Sequence, residues 1–454
     1  MKHRKSLALA GAVASAAAAG LALWRRKRRQ PAAAEPLPEF LTFPEDFVWG
    51  AATSSYQVEG GIVNDWSAAG FDAGQAVDHF HRYEEDFDHA HAMGHNAHRF
   101  SLEWARIEPV RGQWNQAAIE HYRRVLRSLN ARGLTPFVTL WHFTQPVWFA
   151  ADGGWRNEEN IAAFVNYVRF VISELGELAE FWVTLNEPLV YTFQAYDEGR
   201  WPPFVHDRND ALLVARNLLL AHARAYHAIK ALNPDAKVGL VKNMVAMDPL
   251  YGWHPLSRTL TRIQDELFNE AIWKALTEGS LNIRLPGCRP VSIPDTGELK
   301  GALDFMGINY YTRYLIGPTG RLLTRKGATL TDIGWEIYNH GLLRVLTQAA
   351  PYARTLGIPI YITENGLADS QDRHRRAYLL HHLHSVWLAV QAGLPVKGYF
   401  HWSLIDNFEW ADGFGYHFGL MDAERNWRLS ARLYQEIIAE GGFPSAWLTE
   451  HVFE

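Results

Sequence analysis

Eight short runs of apolar or β-branched residues recur along the chain, separated by stretches long enough for a helix and its loops, and each run ends at polar or aromatic residues. Strands buried on both faces of a parallel sheet have this form. The runs fall at residues 47–51, 97–101, 136–140, 182–185, 238–241, 305–308, 360–363 and 396–400. Between them, residues 116–132, 158–175, 211–232 and 373–392 carry the periodicity of amphipathic helices. Eight alternating units predict an α/β fold, a single (β/α)8 barrel occupying residues 39–454.

The polar residues that interrupt this pattern sit where such strands end. Arg99 ends the second run, His142 follows the third, and Asn186 and Glu187 follow the fourth. Asn243 follows the fifth, Asn309 and Tyr310 the sixth, Glu364 the seventh and Trp402 the eighth. In a barrel these ends converge on one mouth, where active sites of this architecture are built. Residues far apart in sequence are therefore expected to share one pocket.

Composition narrows what that pocket can do. The net charge is only -5, with 49 acidic against 44 basic residues, so no overall field attracts a polyanion and nucleic acid is not an expected partner. Cys288 is the single cysteine, which excludes an intramolecular disulfide. The 18 Trp, 18 Tyr and 23 Phe lie in many places beside acids and amides. Aromatic faces next to polar groups suit sugars, whose C–H faces stack while their hydroxyls need partners. The clusters His79, His81, His89, His91, His95, His98 and His381, His382, His384 lack the cysteine or carboxylate spacing of a metal site. They read as solvated or capping helix faces; neither a metal nor another cofactor is expected.

Cleaving a glycosidic bond with retention takes two carboxyl groups about 5–5.5 Å apart, one attacking the anomeric carbon and one protonating the leaving oxygen. The segments Thr184-Leu185-Asn186-Glu187-Pro188 and Ile362-Thr363-Glu364-Asn365-Gly366 each put a Glu directly at a strand's end. A neighbouring cation would keep the attacking carboxylate charged, and Arg99 is placed for this, while burial would keep the other carboxyl protonated. Asn186 is placed to hydrogen-bond the sugar's 2-hydroxyl, a contact that strengthens in the oxocarbenium-like transition state.

These motifs resemble glycoside hydrolase family 1 over residues 43 to about 443. The likeness also rests on Tyr56-Gln57-Val58-Glu59-Gly60, Arg99-Phe100-Ser101, Trp104-Ala105-Arg106-Ile107, Trp141-His142, Asn309-Tyr310-Tyr311 and Gly334-Trp335-Glu336. It extends through Trp402-Ser403-Leu404-Ile405-Asp406-Asn407-Phe408-Glu409-Trp410. The resemblance implies that Glu187 is the acid/base and Glu364 the nucleophile. It implies that Gln57, His142, Asn186, Glu409 and Trp410 bind the glycone, that Tyr310 and Arg99 tune the nucleophile with Asn309 in support, and that Trp335 and Trp402 form stacking walls. Plant thioglucosidases of the family replace the acid/base Glu, which is present here. Members acting on 6-phosphosugars replace the Glu-Trp pair, which stands intact as Glu409-Trp410, and an anionic Glu409 would repel a phosphate. One departure follows His142, where Phe143-Thr144-Gln145-Pro146 replaces the common Trp-Asp-Leu-Pro run.

The expected reaction is hydrolysis of a small, unphosphorylated β-glucoside or β-galactoside by double displacement. Two other functions compete: transglycosylation onto membrane glycolipids, and sugar binding by a barrel that has lost catalysis. The first of these draws on the N-terminus. Residues 6–24 are uncharged and rich in Ala and Leu, flanked by Lys2, Arg4 and Lys5 and by the basic cluster at 25–29. That is about one bilayer span. The run continues past the small-residue site Ala14-Ser15-Ala16 and then meets a basic stop, which reads as an uncleaved anchor with the catalytic domain cytoplasmic. A cleaved signal peptide and a soluble helical tail are the alternatives, and residues 1–38 are taken as this segment and its linker.

Overall fold

The computed structural model describes residues 36–453. The apolar run at 6–24 and its basic flanks lie outside the described residues; among those described, no helix is long and apolar enough to cross a membrane. Eight parallel strands close into a barrel: β1 (Val48–Ala52), β2 (Ala97–Ser101), β3 (Thr135–Thr139), β4 (Phe181–Asn186), β5 (Lys237–Asn243), β6 (Phe305–Asn309), β7 (Ile360–Asn365) and β8 (Val396–Trp402). Each pairs with its sequence neighbours, and β8 returns to β1 through Tyr399 opposite Trp49. The eight runs read from sequence are these eight strands.

Several strands run one or two residues further than their apolar letters. Asn186, Asn243, Asn309, Asn365 and Trp402 are all inside strands. The ladder continues through them because their side chains find buried partners: Asn365 Nδ2, for example, donates to the Tyr310 carbonyl at 2.6 Å and to the hydroxyl of Tyr378 on a covering helix at 2.8 Å. At the other end, Phe47 lies outside β1 and packs in an aromatic cluster with Phe43 and Trp49.

Alternate residues of the strands fill the barrel. Phe137, Val183, Val241, Phe305, Tyr361 and Phe400 form one buried cluster, with the Phe137 ring 4.9 Å from Phe400 and 5.3 Å from Tyr361. Gly239 on β5 leaves the room that Phe305 needs, since a Cβ there would sit 2.4 Å from the ring. The barrel is thus a packed core with an opening only where the strands end in polar residues. Helices Gln116–Ala131, Asn160–Leu175, Arg208–Leu232 and Arg375–Gln391 cover it outside, close to the expected segments. The short strand Phe40–Thr42 pairs antiparallel with Gly442–Pro444, bringing the two ends of the described domain together.

The histidine expectation needs correction. His81 and His91 are exposed, but His79, His95, His98 and His382 are buried. His79 Nδ1 meets Asp86 at 2.6 Å, and Asp86 also takes the Arg425 guanidinium at 2.9 Å. His382 stacks 3.7 Å from Tyr378. An imidazole is a flat ring with two polar points, so it can enter a core where those points find partners or its faces are covered.

Candidate active site

Glu187 directly follows β4, and its amide donates to the Val241 carbonyl of β5 at 2.8 Å. Its φ of 43° lies in the left-handed region that a glutamate rarely adopts, so the neighbouring strand fixes a backbone that Pro188 then turns into the helix Pro188–Thr192. The side chain is buried at 6% exposure. Its Oε1 accepts from Asn309 Nδ2 at 2.7 Å and from Asn243 Nδ2 at 3.2 Å. Burial, followed by the charge of Glu364, pushes this carboxyl up to about 8, while the two amides and Arg99 pull the other way.

Glu364, at 4% exposure on β7, has a different setting. Arg99 Nη1 meets its Oε1 at 2.5 Å, and the Tyr311 hydroxyl donates to its Oε2 at 2.5 Å. Arg99 also donates through Nη2 to Asn186 Oδ1 at 2.6 Å, so one guanidinium joins β2, β4 and β7. Asn186 Nδ2 in turn contacts His142 Nε2 at 3.1 Å. Asn309 is held by the Thr363 hydroxyl at 2.7 Å and closes the network between the two carboxyls.

Gln57, Glu409 and Trp410 stand together on another side of the mouth. Gln57 Nε2 donates to Asn407 Oδ1 at 2.9 Å and to the Phe408 carbonyl at 2.8 Å, and reaches Glu409 Oε2 at 3.4 Å. Trp410 packs against Trp66 and Trp201 with ring centroids 4.8 and 5.8 Å away. His142 lies nearly parallel to both Trp402 and Trp410 at about 6 Å. Burial drives the His142 ring well below its ordinary range, so it is neutral; its Nδ1 has no partner among the described residues. Trp335 is half-buried, 5.4 Å from the Tyr311 ring.

Two expectations change. The Tyr310 hydroxyl donates to the Tyr338 carbonyl at 2.6 Å and is fully buried away from the carboxyls. Tyr311, one residue on, supplies the hydroxyl on Glu364, because neighbouring residues past a strand end point to opposite sides. In the motif Asn309-Tyr310-Tyr311 it is thus the second tyrosine, not the first, that meets the nucleophile candidate. Glu409 is also not a simple anion: burial pushes its carboxyl up, and the charges of Glu364, Asp412 and Glu187 add to the effect. Arg106 is a structural ion pair, 3.1 Å from Glu59, and the divergent Thr144 and Gln145 turn inward to Glu103 and Asp65.

Residues 40–443 match the model of glycosyl hydrolase family 1. The chain belongs to that family. Beta-glucosidase A of Thermotoga maritima is 33% identical over 414 residues, covering 84% of this chain and 92% of that protein. A beta-galactosidase of Pyrococcus woesei is 29% identical over 88% of this chain and 98% of its own. Among solved structures, a beta-glycosidase from Pyrococcus horikoshii superposes with a TM-score of 0.82 at 36% identity, covering 91% of this chain and 99% of that one. As a family 1 member the protein is a glycoside hydrolase, and its mouth is where the family's chemistry has to be sought.

Proposed function

We propose that this family 1 enzyme is a retaining β-glycosidase that hydrolyses unphosphorylated β-glucosides and β-galactosides, with Glu364 as nucleophile and Glu187 as acid and then base. Its main support is the unequal setting of the two carboxyls. Glu364 faces a guanidinium and a hydroxyl that donate to both its oxygens, so it is aimed and paired as a carboxylate. Glu187 faces amides and keeps its proton through neutrality. In the first step a Glu364 oxygen bonds to the anomeric carbon while the leaving oxygen departs with the Glu187 proton. In the second, water gives a proton to the Glu187 carboxylate and attacks the same carbon, releasing Glu364. Esterifying Glu364 removes the negative charge that helped hold the Glu187 proton, so the change from acid to base follows from the first step itself.

The glycone side fits an uncharged sugar. Neutral His142 offers its Nδ1–H, since Nε2 faces Asn186, and Trp402 and Trp410 supply aromatic faces nearly parallel to its ring. A phosphate on the sugar would meet Glu409 beside the carboxyls that raise its proton affinity, so repulsion comes from Glu364 and Asp412 more than from Glu409 alone. The named relatives, a β-glucosidase and a β-galactosidase, support glucose or galactose as the glycone. A barrel that only bound sugar would have no use for two carboxyls held in such different ways.

Proton NMR of the sugar first released from an aryl β-glucoside tests this directly. The β-anomer should appear before mutarotation; a first-formed α-anomer, or no release by folded protein, contradicts the reading. Tyr311 provides a second test. Tyr311→Phe should lower kcat/KM by about 100-fold, the order found for loss of one oxyanion donor. Tyr310→Phe should leave kcat near that of the parent and cost stability instead, about 1 kcal/mol by denaturant titration. Equal kinetic losses from both would remove the distinction between them.

A further inference from the structure

Lys242 is a lysine with 1% exposure in the wall directly behind the acid/base. On β5 its neighbours Val241 and Asn243 point into the barrel, the first into the packed interior and the second to Glu187, so strand alternation sends Lys242 outward. There the π-helical segment Glu266–Glu270 covers it, with the ammonium 4.5 Å from the Phe268 ring. Its three donors have one hydrogen-bond acceptor among the described residues, the Asn243 carbonyl at 2.8 Å. Asn243 therefore carries the ammonium on its backbone and Glu187 on its side chain, at 3.2 Å. A cation this deeply buried is costly unless a nearby negative charge offsets it.

The reaction supplies such a charge. When Glu364 becomes an ester and Glu187 gives up its proton, the negative charge of the site moves from the Arg99 side to the Lys242 side. We propose that Lys242 is a positioning residue whose ammonium holds Glu187 as a carboxylate in the glycosyl-enzyme, so that it can serve as base for the attacking water. The proposal rests on the roles given above to Glu187 and Glu364. The charged and titratable groups bearing on Glu187 are Glu364, Arg99, Glu409, Tyr311 and Lys242; those bearing on Lys242 are Glu187 and Asp265. Asp265 is itself set between Arg344 and Glu270. Burial pushes the Lys242 ammonium down and the charges of Glu187 and Asp265 oppose it, leaving it at about 7. Once Glu187 is anionic, Lys242 keeps its proton through the acid side of neutrality, where the base has to form.

The sign of the effect follows. Without the cation, Glu187 in the glycosyl-enzyme holds its proton to higher pH, so the acid limb of deglycosylation moves up. A dinitrophenyl β-glucoside, whose leaving group departs without a proton, makes deglycosylation limiting at saturation, which a pre-steady-state burst verifies. In the full chain, Lys242→Met should move the acid limb of kcat up by about half a pH unit or more. The kcat/KM for the same substrate should stay unchanged, and Lys242→Arg should return the limb. An unmoved limb in Lys242→Met, with burst and Tm intact, would overturn the proposal. Should that variant not fold, Lys242→Gln, which keeps a donor for the Asn243 carbonyl, takes its place with the same two outcomes. Glu187→Gly measured alongside should have no such limb; a limb that persists there would overturn the base assignment of Glu187 and the proposal with it, whereas an unmoved limb in Lys242→Met alone overturns only the part played by Lys242.

Discussion

Glu364→Gly should abolish hydrolysis for every leaving group, by about 10⁵-fold or more in kcat, because it removes the group proposed to attack the anomeric carbon. The loss should not depend on how easily the aglycone departs, since a good leaving group still needs something to displace it. The variant also vacates the space between Arg99 and Tyr311, whose guanidinium and hydroxyl donate to Glu364 in the parent. Azide or formate is an anion of the size and charge that this space accepts. Attack from there reaches the α face, so added azide should restore turnover and yield an α-glycosyl azide. A β-configured azide from this variant would exchange the roles of the two carboxyls.

Glu187→Gly should fail in a graded way. For an aglycone that must leave with a proton, kcat/KM should fall by about 10³-fold, within the range of general-acid contributions. For dinitrophenolate, which needs no proton, formation of the glycosyl-enzyme should continue while its hydrolysis slows, so the intermediate accumulates and a burst is seen. Azide should then attack the ester from the side that Glu187 occupied and give a β-glycosyl azide. The parent's pH profile supplies an independent check. Glu187 is raised to about 8 by burial and by Glu364, so it is protonated below that pH and loses its proton above it. With a poor leaving group, kcat/KM of the parent should therefore decline as pH rises through about 8, and with dinitrophenolate this alkaline limb should vanish. The same limb for both leaving groups would show that it belongs to another residue.

The strands were legible because a parallel barrel strand is buried on both faces, so its apolar letters mark it without any need for alternation. The mouth was legible for a related reason: Arg99, Asn186, Glu187, Asn309 and Glu364 are polar residues at the ends of runs that are otherwise apolar, and the structure joins them in one network. What sequence could not give was direction within a pair and the state of a buried charge. Tyr310 and Tyr311 are the same letter, and only the path of the chain past β6 sends one hydroxyl to Tyr338 and the other to Glu364. Glu409 reads as an anion until its burial among three other carboxyls is seen. His98 and His382 read as solvated polar residues because sequence does not show that ring faces will cover them. Lys242 sits in a strand as one charged letter after an apolar run, and its tie to Glu187 through Asn243 appears only when β4 and β5 lie side by side. The small sheet of Ala246–Pro249, Arg313–Ile316 and Leu322–Leu323 escaped notice for a simpler reason, since strands this short carry no usable periodicity.

The central claim is a covalent bond between the sugar and Glu364. A dinitrophenyl 2-deoxy-2-fluoro-β-glucoside tests it, because the fluorine destabilises the positive charge of both transition states while the leaving group keeps the first step fast enough to proceed. Protein inactivated by this reagent, digested and analysed by peptide mass spectrometry, should carry a single fluoroglucosyl group on the peptide containing Ile362-Thr363-Glu364-Asn365-Gly366, with fragmentation placing it on Glu364. The adduct on Glu187 or on any other residue would contradict the account, as would turnover of the parent substrate with no adduct formed at all.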